Sequence, residues 1–129
     1  MRKVISIILI AFGASPAFAQ WTQIGADGTT TQYIDFSKTQ RGGSQVKIWT
    51  IIDYNEPQKA LGIKFRSMII QEEYDCKNSL RRTLSGVAYS ERMASGTVAM
   101  HETQSSNWQA IPRDSEGELF LNIACANNK

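Results

Sequence analysis

The chain is expected to fold as α+β: a single antiparallel β-sheet of about six strands, with one helix at the C-terminal end packed on one face. Three features predict this. Short stretches in which apolar and polar side chains alternate, divided by glycine, asparagine and proline turns, run from residue 21 to residue 103. A helix-start signal at Ser115 and Glu118 then introduces apolar residues at helical spacing. Two cysteines, Cys76 and Cys125, close a predicted strand and that predicted helix, so a bond between them would tie one to the other.

The first segment stands apart from the fold. Arg2 and Lys3 begin it, an apolar run follows from Val4 to Ala14, and Ala17-Phe18-Ala19 has the small-x-small form a signal peptidase accepts before Gln20. Residues 1–19 are therefore expected to be a cleaved secretory signal, with residues 20–129 as one domain. The rival reading is a membrane anchor. Its apolar run is about half of the ~20 residues that cross a bilayer core, and Ser15-Pro16 ends it. No cysteine lies near the cut to carry a lipid, so the mature chain is expected to be soluble and not stably inserted in a membrane.

Export changes the charge balance. The chain has 14 basic and 12 acidic residues, and the excess of +2 equals Arg2 and Lys3. The exported part is net neutral, which removes the general electrostatic case for a nucleic-acid or anionic-lipid partner. Export also places Cys76 and Cys125 in an oxidising compartment, where an even pair is most simply a disulfide. Closing that loop restricts the unfolded chain by about 4 kcal/mol. A zinc site would need carboxylates to complete two cysteines and the single His101.

The strands follow in order. Trp21 to Ile24 is the first, ended by Gly25-Ala26-Asp27-Gly28; Thr29 to Phe36, rich in threonine and aromatics, is the second. Arg41-Gly42-Gly43-Ser44 is a hairpin turn. In Gln45 to Tyr54, Val46, Ile48, Ile52 and Tyr54 point one way and Lys47, Trp49 and Asp53 the other, until Asn55-Glu56-Pro57 closes the strand. Leu61 to Cys76 changes its apolar parity part-way, which a bulge near Ser67–Ile69 would explain. Leu80 to Ser90 and Thr97 to Thr103 complete the sheet. The helix then presents Leu119, Phe120, Ile123 and Ala124 as its apolar stripe.

Chemistry-bearing patterns are sparse, and no enzyme activity or cofactor is expected. His101 lies in a strand without the second histidine of a zinc-protease helix, and no Gly-x-Ser-x-Gly elbow is present. Glu72 and Glu73 are adjacent on a strand, so they point to opposite faces and cannot share a catalytic site. A calcium site at Asp75 lacks any recognised ligand spacing. Lys64, Arg66, Arg81 and Arg82 stand on adjacent strands as a candidate basic patch for an anionic partner such as a sulfated glycan, or as a solvated outer face. Trp21, Trp49 and Trp108 are core candidates; Trp49, on the charged parity of its strand, is also a candidate binding anchor.

An ordered set of motifs spans the whole exported part: Trp21-Thr-Gln-Ile-Gly, Tyr33-Ile-Asp35, Val46-Lys-Ile-Trp49 ahead of Asp53-Tyr54, Ser67, Glu73-Tyr-Asp-Cys76, Tyr89-Ser90, Met93 before Gly96, Trp108 and Cys125. This set resembles the surface-adhesin protein E family. The resemblance implies a Gram-negative envelope protein, periplasmic or extracellular, with a curved antiparallel sheet whose C-terminal helix is tied on by a disulfide. It also implies a non-enzymatic binding protein for a protein ligand, of the host-matrix or serum kind, met on the sheet face or an edge strand. Two alternatives stay open: a soluble periplasmic carrier of a small ligand such as haem, contacted by Tyr54, Met68, Tyr74 or His101, and a periplasmic enzyme inhibitor.

Overall fold

The computed structural model describes residues 20–126; the expected signal peptide, residues 1–19, lies outside them. Strands β1 (Thr22–Ala26), β2 (Thr30–Ile34), β3 (Gln40–Gly42), β4 (Gln45–Ala60), β5 (Ile63–Asp75), β6 (Leu80–Tyr89), β7 (Val98–Glu102) and β8 (Gln109–Ala110) precede one helix, α1 (Glu116–Cys125). All strand pairs are antiparallel, in the order β1-β2-β4-β5-β6-β7. The short β3 continues the lane of β2 along β4, and β8 continues the lane of β7 along β6. Eight segments thus fill six lanes, and the predicted α+β architecture holds.

The long strands β4, β5 and β6 form the central meander. Leu61 and Gly62 make the β4–β5 turn with φ of 51° and 78°, the left-handed pair that a two-residue hairpin requires. Pro57, expected to end its strand, instead lies where β4 loops out: Asp53 pairs with Ser67 and Gln58 with Phe65, leaving residues 54–57 opposite Arg66 alone. The ladder asks no N–H of a proline there.

The parity change in β5 is real but its cause is different from the one expected. β5 pairs without interruption through Ser67–Ile69, and the irregularities fall in β4 and, at Leu84, in β6. What changes along the sheet is its cover. Val46, Ile48 and Thr50 alternate onto the face beneath α1, beside Ile34 and Tyr74 from the neighbouring lanes. Further along β4 the residues of opposite parity, Ile51 and Asp53, are the buried ones. Segment 90–97 crosses that second face. The Asp53 carboxylate accepts from Met93 N (2.9 Å) and pairs with Arg92 Nη2 (2.8 Å), and Ser67 Oγ accepts from Ala94 N (2.8 Å) while donating to Glu91 O. Ile52 and Tyr54, predicted to share the inward set with Val46 and Ile48, are therefore only half-buried.

Helix α1 starts as the capping signal predicts, with Ser115 Oγ accepting from Glu118 N at 3.2 Å. Its sheet-facing residues are Phe120, Leu121 and Ala124, packed on Ile34, Val46, Ile48 and Tyr74. Leu119, expected in the stripe, is 51% exposed, and Leu121 takes the buried place. Burying Phe120 and Leu121 stabilises the docked helix by about 1.5–3 kcal/mol each. At the far end Arg41 Nη1 donates to Ala124 O at 2.9 Å, a cation on the negative end of the helix dipole. Cys125, in the last turn, is bonded to Cys76 just after β5, with Cα atoms 5.9 Å apart.

Candidate binding surface

The face that α1 covers near Tyr74 is bare further along the same strands. Directly paired residues of antiparallel strands share a face, and Ile52, Met68, Ala88 and Met100 form one such row across β4, β5, β6 and β7. Met68, Ala88 and Met100 of this row, with Ala60, Leu61 and Ile63 of the β4–β5 hairpin, frame a trough of about 530 Å³, rimmed by His101 and Glu102. Tyr54 stiffens its floor: the hydroxyl donates to Met68 Sδ at 3.8 Å, and the ring meets Phe65 edge-on at 5.7 Å. Burial raises the Tyr54 pKa. Leu61, at the hairpin tip, is 96% exposed in left-handed backbone, a place where an apolar residue is uncommon. Val98 is also exposed, on the edge strand β7.

The residues singled out from sequence do not come together as one site. Arg81 and Arg82 lie beside Tyr74 and Glu73, at the disulfide end of β5. Lys64 and Arg66 lie at its hairpin end, roughly 25 Å away at strand spacing. The expected single basic patch is therefore not formed. Arg82 is also occupied, bonded to the buried Glu73 (Nε 2.8 Å, Nη2 2.6 Å) and stacked 4.5 Å from the Trp108 ring. Arg66 donates to Asn55 O. Trp49 is half-buried on the face opposite α1 and supplies the carbonyl that receives Asp35 N. Of the four ligand contacts considered, Met68 and His101 line the trough and Tyr54 touches Met68. Tyr74 does not belong with them: it is fully buried under α1, its hydroxyl donating to Glu72 Oε2 at 2.8 Å. Burial first, and the Glu72 charge second, push its pKa well above the usual range.

Glu72 and Glu73 do part to opposite faces, one toward Tyr74 and the other toward Arg82. Among the described residues no three His, Cys, Asp or Glu side chains converge as metal ligands, and no helix is long and apolar enough to cross a membrane.

A model of the family described as surface-adhesin protein E matches residues 21–126. The chain belongs to that family. Solved structures of Haemophilus influenzae protein E have the same fold. The selenomethionine form is 16% identical over 80% of this chain and 90% of that one, with a TM-score of 0.61. A second crystal form is 14% identical over 82% and 97%, also at 0.61. Protein E from a non-typeable strain is 16% identical over 88% and 82%, at 0.63. No curated protein matches the chain in sequence. In this member of the surface-adhesin protein E family, Asp53 and Ser67 hold segment 90–97 onto the sheet, and Gly96 lets it turn with a φ of 80°. The trough was not read from sequence, because Ala88 and Met100 look like ordinary strand interior. Met68 and His101 were legible as candidate contacts, and Leu61, an apolar side chain next to a turn glycine, is the signal that could have added the hairpin to them.

Proposed function

We propose that this family member is an exported, non-enzymatic binding protein of the envelope, and that a protein ligand docks in the apolar trough at the uncovered end of the sheet. Leu61 carries this reading. An apolar side chain almost wholly in water, held at the rim of an apolar trough, has the placing of a contact residue. Family membership supports a role in binding, and the adjoining edge strand β7 offers unpaired backbone groups to an extended ligand segment.

The test uses purified residues 20–129 against immobilised serum and extracellular-matrix proteins, with Leu61→Asp as the contrast. Saturable binding that Leu61→Asp abolishes supports the reading. Binding that Leu61→Asp leaves intact, or no binding at all, overturns it. Antibody labelling of intact cells separates surface display from a periplasmic location, and labelling only after permeabilisation removes the adhesin form of the proposal.

A second reading rests on Met68 and His101 lining one trough. These are soft and nitrogen donors beside an apolar floor, a setting that suits a planar apolar ligand such as haem. Titrating haemin would then give an absorbance shift that His101→Ala removes; no spectral change ends this reading.

A further inference from the structure

A second cavity, sharing no lining residue with the trough, opens between the first turn of α1 and the sheet. Four adjacent lanes each send one polar side chain into it: Gln32 from β2, Thr50 from β4, Glu72 from β5 and Arg81 from β6. Glu116 and Gly117 of α1 form the opposite wall, and the space is about 240 Å³.

Three features of this cleft are unexplained by folding. Thr50 is 6% exposed, yet its Oγ1 has no hydrogen-bond partner, whereas buried hydroxyls are nearly always bonded. Arg81 makes no ion pair among the described residues. Its guanidinium also sits where the helix dipole is positive: a Cβ added to Gly117 would lie 3.3 Å from Arg81 Nη1. Two positive ends thus converge on one side of a cavity whose own carboxylates, Glu72 and Glu116, form no ion pair with Arg81 among the described residues, so a hydrogen-bonded carboxylate is still wanting at the guanidinium. Glu72 and Glu116 counter any purely anionic occupant. Glu72 is held in place by the Tyr74 hydroxyl and forms no ion pair among the described residues.

We infer that the cleft between α1 and the sheet binds a small zwitterion of the α-amino-acid class, with its carboxylate on Arg81 and the α1 N-terminal turn and its ammonium on Glu72. Thr50 Oγ1 and the Gln32 amide complete the polar contacts, and Ile52 and Phe120 receive the apolar part of the ligand. Opposite charges at the two ends of one small cavity select a molecule carrying both.

The experiment titrates proteinogenic amino acids one at a time into 15N-labelled residues 20–129, alongside acetate and ethylamine, each of which carries one charge only. At least one amino acid is expected to give saturable shifts at the amides of Thr50, Arg81 and Gly117. Acetate and ethylamine are expected to bind about tenfold or more weakly, as is the amino acid to Arg81→Gln or Glu72→Gln, because a charge-assisted hydrogen bond is lost. Thr50→Val separates a ligand contact from a structural one: it should weaken binding while raising the thermal midpoint of the free protein, since it removes an unbonded buried hydroxyl. Circular dichroism confirms that each variant is folded. Absence of saturable shifts with every amino acid at millimolar concentration overturns the inference. So does binding that Arg81→Gln and Glu72→Gln, both folded, leave unchanged.

Discussion

Cutting the Cys76–Cys125 bond should lower stability without undocking α1. The bond closes a loop with a sequence separation of 49, which in the chain-entropy model restricts the unfolded state by about 4 kcal/mol. The folded helix keeps its other holds: Phe120, Leu121 and Ala124 in the core, the Ser115 cap, and Arg41 on the Ala124 carbonyl. Burial of Phe120 and Leu121 alone, at about 1.5–3 kcal/mol each, is enough to keep α1 in place. In urea, a loss of about 4 kcal/mol at a slope of roughly 1–3 kcal/mol/M moves the unfolding midpoint down by roughly 1–4 M. The assay compares urea unfolding of the wild type and the Cys76→Ala/Cys125→Ala double variant, followed by tryptophan fluorescence and far-UV circular dichroism. Before denaturant is added, the helical signal should be the same in both. A variant that is folded but has lost its helical signal would show that the bond holds α1 down directly. A midpoint that does not move would show that the unfolded chain gains nothing from being cut free. Either result refutes the reasoning.

Other perturbations test the second face and the turns. Asp53→Ala removes the acceptor of Met93 N and the partner of Arg92; since the Arg92 side chain is half exposed, the ion pair adds little, and the loss should be about 2–3 kcal/mol, with faster tryptic cleavage after Arg92. Gly96→Ala would place a Cβ 2.3 Å from Ser90 Oγ at a φ of +80°, so it should destabilise by about 1–3 kcal/mol. Gly28→Ala, with nothing within 4 Å, should stay within about 0.5 kcal/mol; thermal melts of the two glycine variants beside the wild type measure both. Backbone hydrogen bonds, first from Thr29 and then Thr30, bring the Asp27 pKa from 3.8 to about 2, and the Asn78 side chain leads the groups that lower Asp75. A depressed folded-state pKa stabilises above the unfolded value and is lost as pH falls through the folded one, so melting temperature should drop between about pH 4 and pH 2. Asp27→Asn should flatten that slope, and an unchanged slope would exclude Asp27 as a contributor.

Much of this fold was legible from local chemistry. The capping spacing at Ser115, the paired glycines at 42 and 43 and the alternation from Val46 to Ile48 each reflect a preference that acts within a few residues, and each held. What failed depended on contacts distant in sequence. Leu119 and Leu121 are equally apolar, and only the angle at which α1 meets the sheet decides that Leu121 is buried. The parity change in β5 was legible, but two causes produce the same pattern: an extra residue in the strand, or a change in which face is covered. Segment 90–97, folding back onto Asp53 and Ser67, settles it for the second. The four basic residues looked adjacent because their strands are neighbours. Antiparallel pairing sends Arg81 to meet Tyr74, and so places Lys64 and Arg66 at the other end of the hairpin. Nothing in the sequence indicated that Thr50 would be buried without a partner, since that depends on where the first turn of α1 comes to rest.

The trough follows from a mismatch of lengths. A ten-residue helix is about 15 Å long, whereas the 16 residues of β4 extend over roughly 50 Å. With Cys125 fixed to Cys76 and Arg41 on the helix end, α1 is confined to the start of β4 and the end of β5. No shift of the helix along the sheet can bring it over Met68 and Met100, which stay part-exposed. Both lie near the exposed Leu61 of the hairpin, so the same restraint that makes the helix secure also leaves this apolar end of the sheet without a helix over it.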